Sequence, residues 1–205
     1  MNRILLSGFE PFDGEPSNPS LEVSRALSGS DFDGAVVKAI ELPVDRYRAV
    51  QIASEAITSI KPELFIMFGE AGGRFRVTPE RIAINVDDYR IPDNAGNQPC
   101  GEPIVEGGAA AYFSTLPIKE IVSSLIERDI PAAISSSAGT YLCNRVFYST
   151  MHLISVERMN TRAGFIHLPY MHRQAISKRH DFPSLALETL IEAGRIAIRV
   201  AREKS

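Results

Sequence analysis

Cysteine is scarce: only Cys100 and Cys143 occur in 205 residues. With no export signal ahead of them, that excludes the disulfide framework that staples small secreted proteins. Long apolar runs are absent as well. The first, Ile4-Leu5-Leu6, is too short for the core of a signal peptide, and no run approaches the ~20 residues that cross a bilayer. A cytoplasmic chain with reduced thiols and no membrane partner is expected. Basic charge is not in excess either: the formal net charge is −3, which gives no electrostatic reason to expect nucleic acid as a partner. Neither CxxC nor HExxH occurs, and His152, His167, His172 and His180 form no ligand spacing, with Pro169 breaking any shared helical face for the middle two. No metal and no other cofactor is expected.

What is present is an ordinary globular composition, 44% hydrophobic and 23% charged, in a chain long enough to bury a substantial core. There is no repeat, low-complexity segment or linker, so residues 1–205 read as a single domain. Apolar runs at 3–7, 35–42 and 64–68 read as buried strands, and two helices lie between them. The first is opened by Asn18-Pro19 and runs through Leu27; the second starts near Asp45 and stops at Lys61-Pro62. Strands that are apolar throughout and alternate with helices predict an α/β fold, three layers α/β/α around a mostly parallel, twisted sheet. Further strands are expected at 82–86, 131–137 and 162–166, with helices at 117–127, after 141, and from Phe182-Pro183-Ser184 to the charged end Arg202-Glu203-Lys204. Residues 88–108, with three prolines and several glycines, form a long loop of the kind that serves function or an interface. The run from Gly107 to Phe113 looks closely packed.

The stretch from Ser135 to Tyr148 draws the chemistry. A strand gives way to Ser, Ala, Gly and Thr, and helical spacing then begins at Leu142, placing Cys143 in the first turn. Unpaired backbone N–H groups and the positive end of the helix dipole stabilise a thiolate there. The competing reading is a cysteine that fills a gap in the core. A nucleophile needs a base. His152 would lie ~13 Å further along the same helix and on its opposite face. His172 and His180 belong to a basic surface segment, whereas His167 ends a strand, and in a parallel sheet the strand ends converge where Cys143 should sit. Among orienting carboxylates, Glu70, Glu80, Asp87, Asp88 and Asp93 all lie near strand or loop ends, and spacing does not choose between them. Phe9 and Phe12 stand in a loop after the first strand, either as core anchors or as the apolar wall of a ligand site. The loop Gly69-Glu70-Ala71-Gly72-Gly73 lacks a nucleotide fingerprint and reads as a close backbone approach.

Five motifs in register then supply a resemblance that covers nearly the whole chain: Gly8-Phe9-Glu10-Pro11-Phe12; Ala71-Gly72-Gly73-Arg74 running to Thr78-Pro79-Glu80-Arg81; Arg90-Ile91-Pro92-Asp93-Asn94; Ser137 to Asn144; and Phe165-Ile166-His167. Together they resemble pyroglutamyl peptidase type I. The resemblance implies a Cys-His-Glu triad at Cys143, His167 and Glu80, an arginine near the oxyanion site at Arg90, and a pyroglutamate pocket at Phe9 and Phe12. Val44, Ile91, Tyr141 and Leu142 are weaker candidates for that pocket. It also implies peptides with N-terminal pyroglutamate as substrates and a homo-oligomer, often a tetramer, with contacts sought around 88–113. One departure stands out: the family usually has glutamine where this chain has Glu70, which would repel a lactam carbonyl unless protonated or paired, with Arg74 as a candidate partner. The rival readings are a phosphorylase-like transferase using the Gly69–Gly73 loop for an anion, and a binding protein without catalysis.

Overall fold

Ile4, Leu5 and Leu6 are fully buried, as is every residue from Leu64 to Phe68. A strand that is apolar on both faces needs cover on both. The computed structural model, which describes residues 3–203, supplies it. In chain order the elements are β1 (Arg3–Phe9), α1 (Pro19–Leu27), β2 (Asp31–Phe32), β3 (Ala35–Leu42), α2 (Arg48–Ile60), β4 (Leu64–Glu70), β5 (Thr78–Pro79), β6 (Ile82–Ile84) and β7 (Ala111–Phe113). They continue with α3 (Ile118–Ile126), α4 (Leu142–Val156), β8 (Arg162–Leu168), β9 (Tyr170–Met171), α5 (His172–Ile176), β10 (Ser184–Leu185) and α6 (Leu187–Glu203). The main sheet runs β2-β3-β1-β4-β8-β5. Its four central strands are parallel and its two short edges antiparallel.

Alternation along the strands divides the core in two. Ile4, Leu6, Ile66 and Phe68 pack with Val23 and Leu27 of α1, Ile121 and Leu125 of α3 and Ile198 of α6. Leu5, Phe65, Met67 and Phe165 pack with Ala53 and Ile57 of α2 and with Val146 and Phe147 of α4. The expected three-layer arrangement with a mostly parallel sheet is therefore observed. Helix starts follow their sequence signals. Asn18 accepts the Ser20 N–H at 3.0 Å, with Pro19 the first helical residue. Asp45 Oδ1 accepts the N–H groups of Tyr47 and Arg48 at 2.8 and 2.9 Å just ahead of α2.

Three expected elements differ. Residues 131–137 are extended but form no regular strand. Val77 donates to Pro131 O and Ala133 to Val77 O, at 2.9 and 3.1 Å; further along, Ser135 donates to Pro79 O and Arg81 to Ser135 O, at 3.0 and 2.8 Å. The bond missing from this parallel ladder is the one Pro79 has no N–H to donate, so only isolated bridges at Val77–Ala132 and Glu80–Ser135 remain. The strand expected at 82–86 is shorter and lies outside the main sheet, paired with β7. The last helix begins at Leu187 instead of 182–184, because Ser184 and Leu185 pair with β9. Residues 88–108 carry neither helix nor strand, as expected, but Gly107, Ala109 and Ala110 are exposed in this chain instead of closely packed. No helix among the described residues is long and apolar enough to cross a membrane.

Candidate active site

The parallel register brings the carboxyl ends of three strands together: Phe9 closes β1, Gly69 and Glu70 close β4, and His167 pairs with Gly69 near the end of β8. Across this rim comes the start of α4. Its N-terminal residue Tyr141 makes no side-chain cap, so the first backbone N–H groups of the helix stay available. Gly139, at φ +76°, makes the turn into it without the cost a Cβ would carry. Cys143 is the second helical residue, and its thiol lies directly over β4: a Cβ on Gly69 would sit 2.9 Å from Sγ and 2.6 Å from the Phe165 ring. Gly69 is thus the residue that lets the thiol settle against the strand next to His167.

His167 is 4% exposed and Glu80 fully buried, with Nδ1 and Glu80 Oε1 2.7 Å apart. Arg74 Nη1 donates to the same Oε1 at 2.7 Å and to Thr78 Oγ1 at 2.6 Å. Burial alone would raise the Glu80 carboxyl, but the hydrogen bond with His167, together with Arg74, holds it below the usual range. Burial lowers His167, with Glu80 opposing. The pair is therefore a neutral imidazole on an ionised carboxylate. A carboxylate only accepts, so Nδ1 carries the proton and Nε2 is left as a base. The structure brings Cys143, His167 and Glu80 into one array, and the carboxylate choice that spacing left open falls on Glu80.

The cavity beside this array has a volume of about 210 Å³ and is lined by Phe9, Phe12, Val44, Tyr141 and Leu142 with Glu70, Cys143 and His167. It is smaller than the ~300–1,000 Å³ of drug-sized sites and suits one small ring. Phe9 is both a core anchor and a wall: it packs in the core beneath α2 and lines the cavity. A larger depression of about 840 Å³, at the amino ends of the strands near Arg3 and Thr161, shares none of these residues. Arg90 is exposed and Ile91 half-buried, and neither lines the cavity.

Two electrostatic expectations change. The helix start favours a thiolate at Cys143, but burial, then the nearby Glu80 and Glu70 carboxylates, push its thiol up to about 12. Glu70 was offered Arg74 as a partner, but Arg74 belongs to Glu80, and Glu70 Oε2 accepts from Gln174 Nε2 at 2.8 Å. Arg74 and Gln174 are site residues that spacing alone did not reveal as such. A third is Asn144, fully buried, which accepts the Ile84 N–H and donates to the Ile84 and Val86 carbonyls at 2.9–3.0 Å, pinning the helix start to β6. His152, excluded as the base, is bonded to Tyr112 at 2.9 Å and stacked on Tyr148. Among the described residues no group of three or more His, Cys, Asp or Glu is arranged to hold a metal ion.

A thiol at a helix start, an imidazole held by a buried carboxylate and a small apolar cavity, all at the carboxyl rim of an α/β sheet, define the class: a thiol-dependent acyl-transfer centre. Comparison with known proteins narrows it. A family model for pyroglutamyl peptidase matches residues 2–204. The pyrrolidone-carboxylate peptidases of Klebsiella pneumoniae and Bacillus licheniformis are 49% and 48% identical, over 100% and 95% of this chain and 95% and 90% of theirs. The crystal structure of Bacillus amyloliquefaciens pyroglutamyl peptidase I superposes with a TM-score of 0.94 at 43% identity, covering 99% of this chain and 98% of that one. A mutant pyrrolidone carboxyl peptidase from Pyrococcus furiosus does so with a TM-score of 0.96 at 43% identity, covering 98% and 99%. The chain belongs to the pyroglutamyl peptidase family.

Proposed function

We propose that this chain is a cysteine exopeptidase that removes an N-terminal pyroglutamyl residue from peptides. The observation that carries the reading is the buried Glu80–His167 pair next to Cys143, opening on a cavity with apolar walls. Pyroglutamate is an uncharged lactam, and Phe9, Phe12, Val44, Tyr141 and Leu142 suit its ring. The Cys143 proton passes to His167 Nε2 as Sγ bonds to the carbonyl carbon that follows the ring. The C–N bond breaks, and the amine leaves with that proton. Water then attacks the thioester, giving its proton to His167, and pyroglutamate and the free thiol are released. Because the resting thiol is protonated, transfer to His167 accompanies attack. Glu80 keeps the imidazole in its useful tautomer and stabilises its charged form.

The oxyanion meets the backbone N–H groups at the start of α4, and we assign Arg90 to the same task. Among the described residues its guanidinium makes no hydrogen bond or ion pair, yet its charge reaches Tyr141, a cavity residue. One such donor is commonly worth ~3 kcal/mol. The anion site that a transferase would need is disfavoured, since Arg74 is committed to Glu80. The chain acts as one domain, as a homo-oligomer and in the cytoplasm. The test is release of a fluorogenic amine from a pyroglutamyl amide. Turnover by the wild type, and its loss in Cys143→Ala and His167→Ala, is expected. Full turnover by Cys143→Ala, or none by the wild type, would sink the proposal.

A further inference from the structure

Glu70 is the one acidic group on the cavity wall, and its bonding is lopsided. Gln174 is fully buried and fully committed: its Oε1 accepts the Met171 N–H at 3.0 Å, and its Nε2 donates to Ser17 O at 3.1 Å and to Glu70 Oε2 at 2.8 Å. That amide cannot turn over without losing all three bonds, so Glu70 Oε2 is fixed as an acceptor. Among the described residues no donor reaches the other carboxyl oxygen, and Glu70 is a residue of the cavity wall.

Each charged or titratable group around Glu70 can be placed. The loop after β1 contributes Asp13 and Glu15, both of which disfavour a second negative charge. The segment after α5 contributes Lys178, but its ammonium is ion-paired with Glu15 and lies 4.6 Å over the Tyr170 ring of β9. From α4 comes the Cys143 thiol, from β8 comes His167, which shares the cavity wall and is bonded to Glu80, and from the loop after β4 comes Arg74, which is also held by Glu80. No cation is therefore available to Glu70 alone. Burial, reinforced by Glu15 and Asp13 and opposed by Gln174 and Lys178, pushes its carboxyl up to about 7.

We propose that Glu70 recognises the substrate as a neutral carboxylic acid, with its cavity-facing O–H donating to the lactam carbonyl while Oε2 accepts from Gln174. This rests on the pyroglutamyl peptidase reading and deepens it. A glutamine here would present the same pair, a carbonyl oxygen to Gln174 and an N–H to the lactam, at any pH. Glu70 presents it only while protonated. Above neutrality the ionised carboxylate sets a negative oxygen against the lactam oxygen, so this chain's grip on its substrate weakens with rising pH where a glutamine-bearing chain's would not.

The bare ring, 2-pyrrolidone, isolates the contact, and a background of Cys143→Ala removes the titration of the thiol. With half-protonation near pH 7, the Kd of Cys143→Ala for 2-pyrrolidone should weaken ~10-fold between pH 6 and pH 8. That of Cys143→Ala/Glu70→Gln should stay within about twofold. In the active pair, the advantage of Glu70→Gln over wild type in pyroglutamyl amide turnover should grow by a similar factor, carried by KM. Parallel pH dependence in the two backgrounds overturns the proposal. So does a wild-type Glu70 that binds equally well at both pH values while Glu70→Gln binds weakly throughout, because that pattern means the anion accepts the lactam N–H. Absence of turnover by both active proteins at every pH overturns the function itself, a result distinct from turnover with parallel profiles.

Discussion

Two carboxylates stand near the same thiol, and their surroundings give them opposite states. Glu80 takes bonds from His167 and Arg74 and stays ionised, while Glu70 takes one neutral bond from Gln174 and holds its proton to about pH 7. Glu80→Gln keeps the shape, and Arg74 holds the amide oxygen toward Nδ1, but the negative charge that stabilises the imidazolium formed on proton transfer is lost. We expect kcat/KM to fall ~10³–10⁴-fold, against a small change in KM. For Glu70 the folded value lies above the carboxyl's ordinary 4.5, so the native state binds more protons than the unfolded chain. The contribution of Glu70 to stability is fully present below 4.5 and is lost as pH rises through about 7, by up to ~3 kcal/mol. Glu70→Gln removes that loss. Its Tm advantage over wild type should widen from pH 5 to pH 8, and a constant gap would show Glu70 ionising freely. At this scale Cys143 and His167 were legible from a helix start and a strand end, whereas Glu80 was not separable from four other acidic residues without the resemblance. The thiol departs from what the helix start alone favours for a reason of magnitude. A helix dipole contributes ~0.3–1 kcal/mol, and burial beside two carboxylates outweighs it.

Helix α4 carries the nucleophile, but its position is set by the residue after it. Asn144 serves three backbone groups of β6 and the loop beyond, and Thr140 adds a reciprocal pair with Asp88: the Asp88 N–H donates to Thr140 O at 3.0 Å, and Thr140 Oγ1 donates to Asp88 O at 2.7 Å. The next residue, Arg145, reaches the buried Asp87 and donates to Arg46 O at 2.7 Å. The helix start and the 84–88 segment therefore move as one body. Asn144→Ala leaves those buried groups unserved, at ~1–3 kcal/mol for each that finds no water. We expect a loss of about 3 kcal/mol in urea unfolding and faster amide exchange at 84–88 and 140–143. Unchanged exchange there would mean that the ion pairs alone hold the joint. Elements were legible where a local signal spoke for itself, as at the Asn18 cap or the apolar run of β4. Residues 131–137 were not, because what interrupts their pairing is Pro79, more than fifty positions away.

Across the whole molecule, the strand order explains why a site so dispersed in sequence works at all. Phe9, Glu70, Glu80, Cys143 and His167 span nearly 160 positions and meet because β1, β4 and β8 end side by side. The opposite concern is what this chain leaves uncovered. Phe113, at the end of β7, is 66% exposed, and Val156, at the end of α4, is 60% exposed. Gly107, Ala109 and Ala110 just before them offer small side chains where another surface could approach closely. None of these residues lines the cavity. If the proposed oligomer forms through this region, light scattering should give a mass near four times the 22.5 kDa of one chain. Phe113→Asp should shift it to smaller species, since a desolvated carboxylate inside an apolar contact is costly. A wild type that scatters as a single chain at micromolar concentration would refute the assembly without touching the chemistry. An oligomer that survives Phe113→Asp intact would move its contacts to another face.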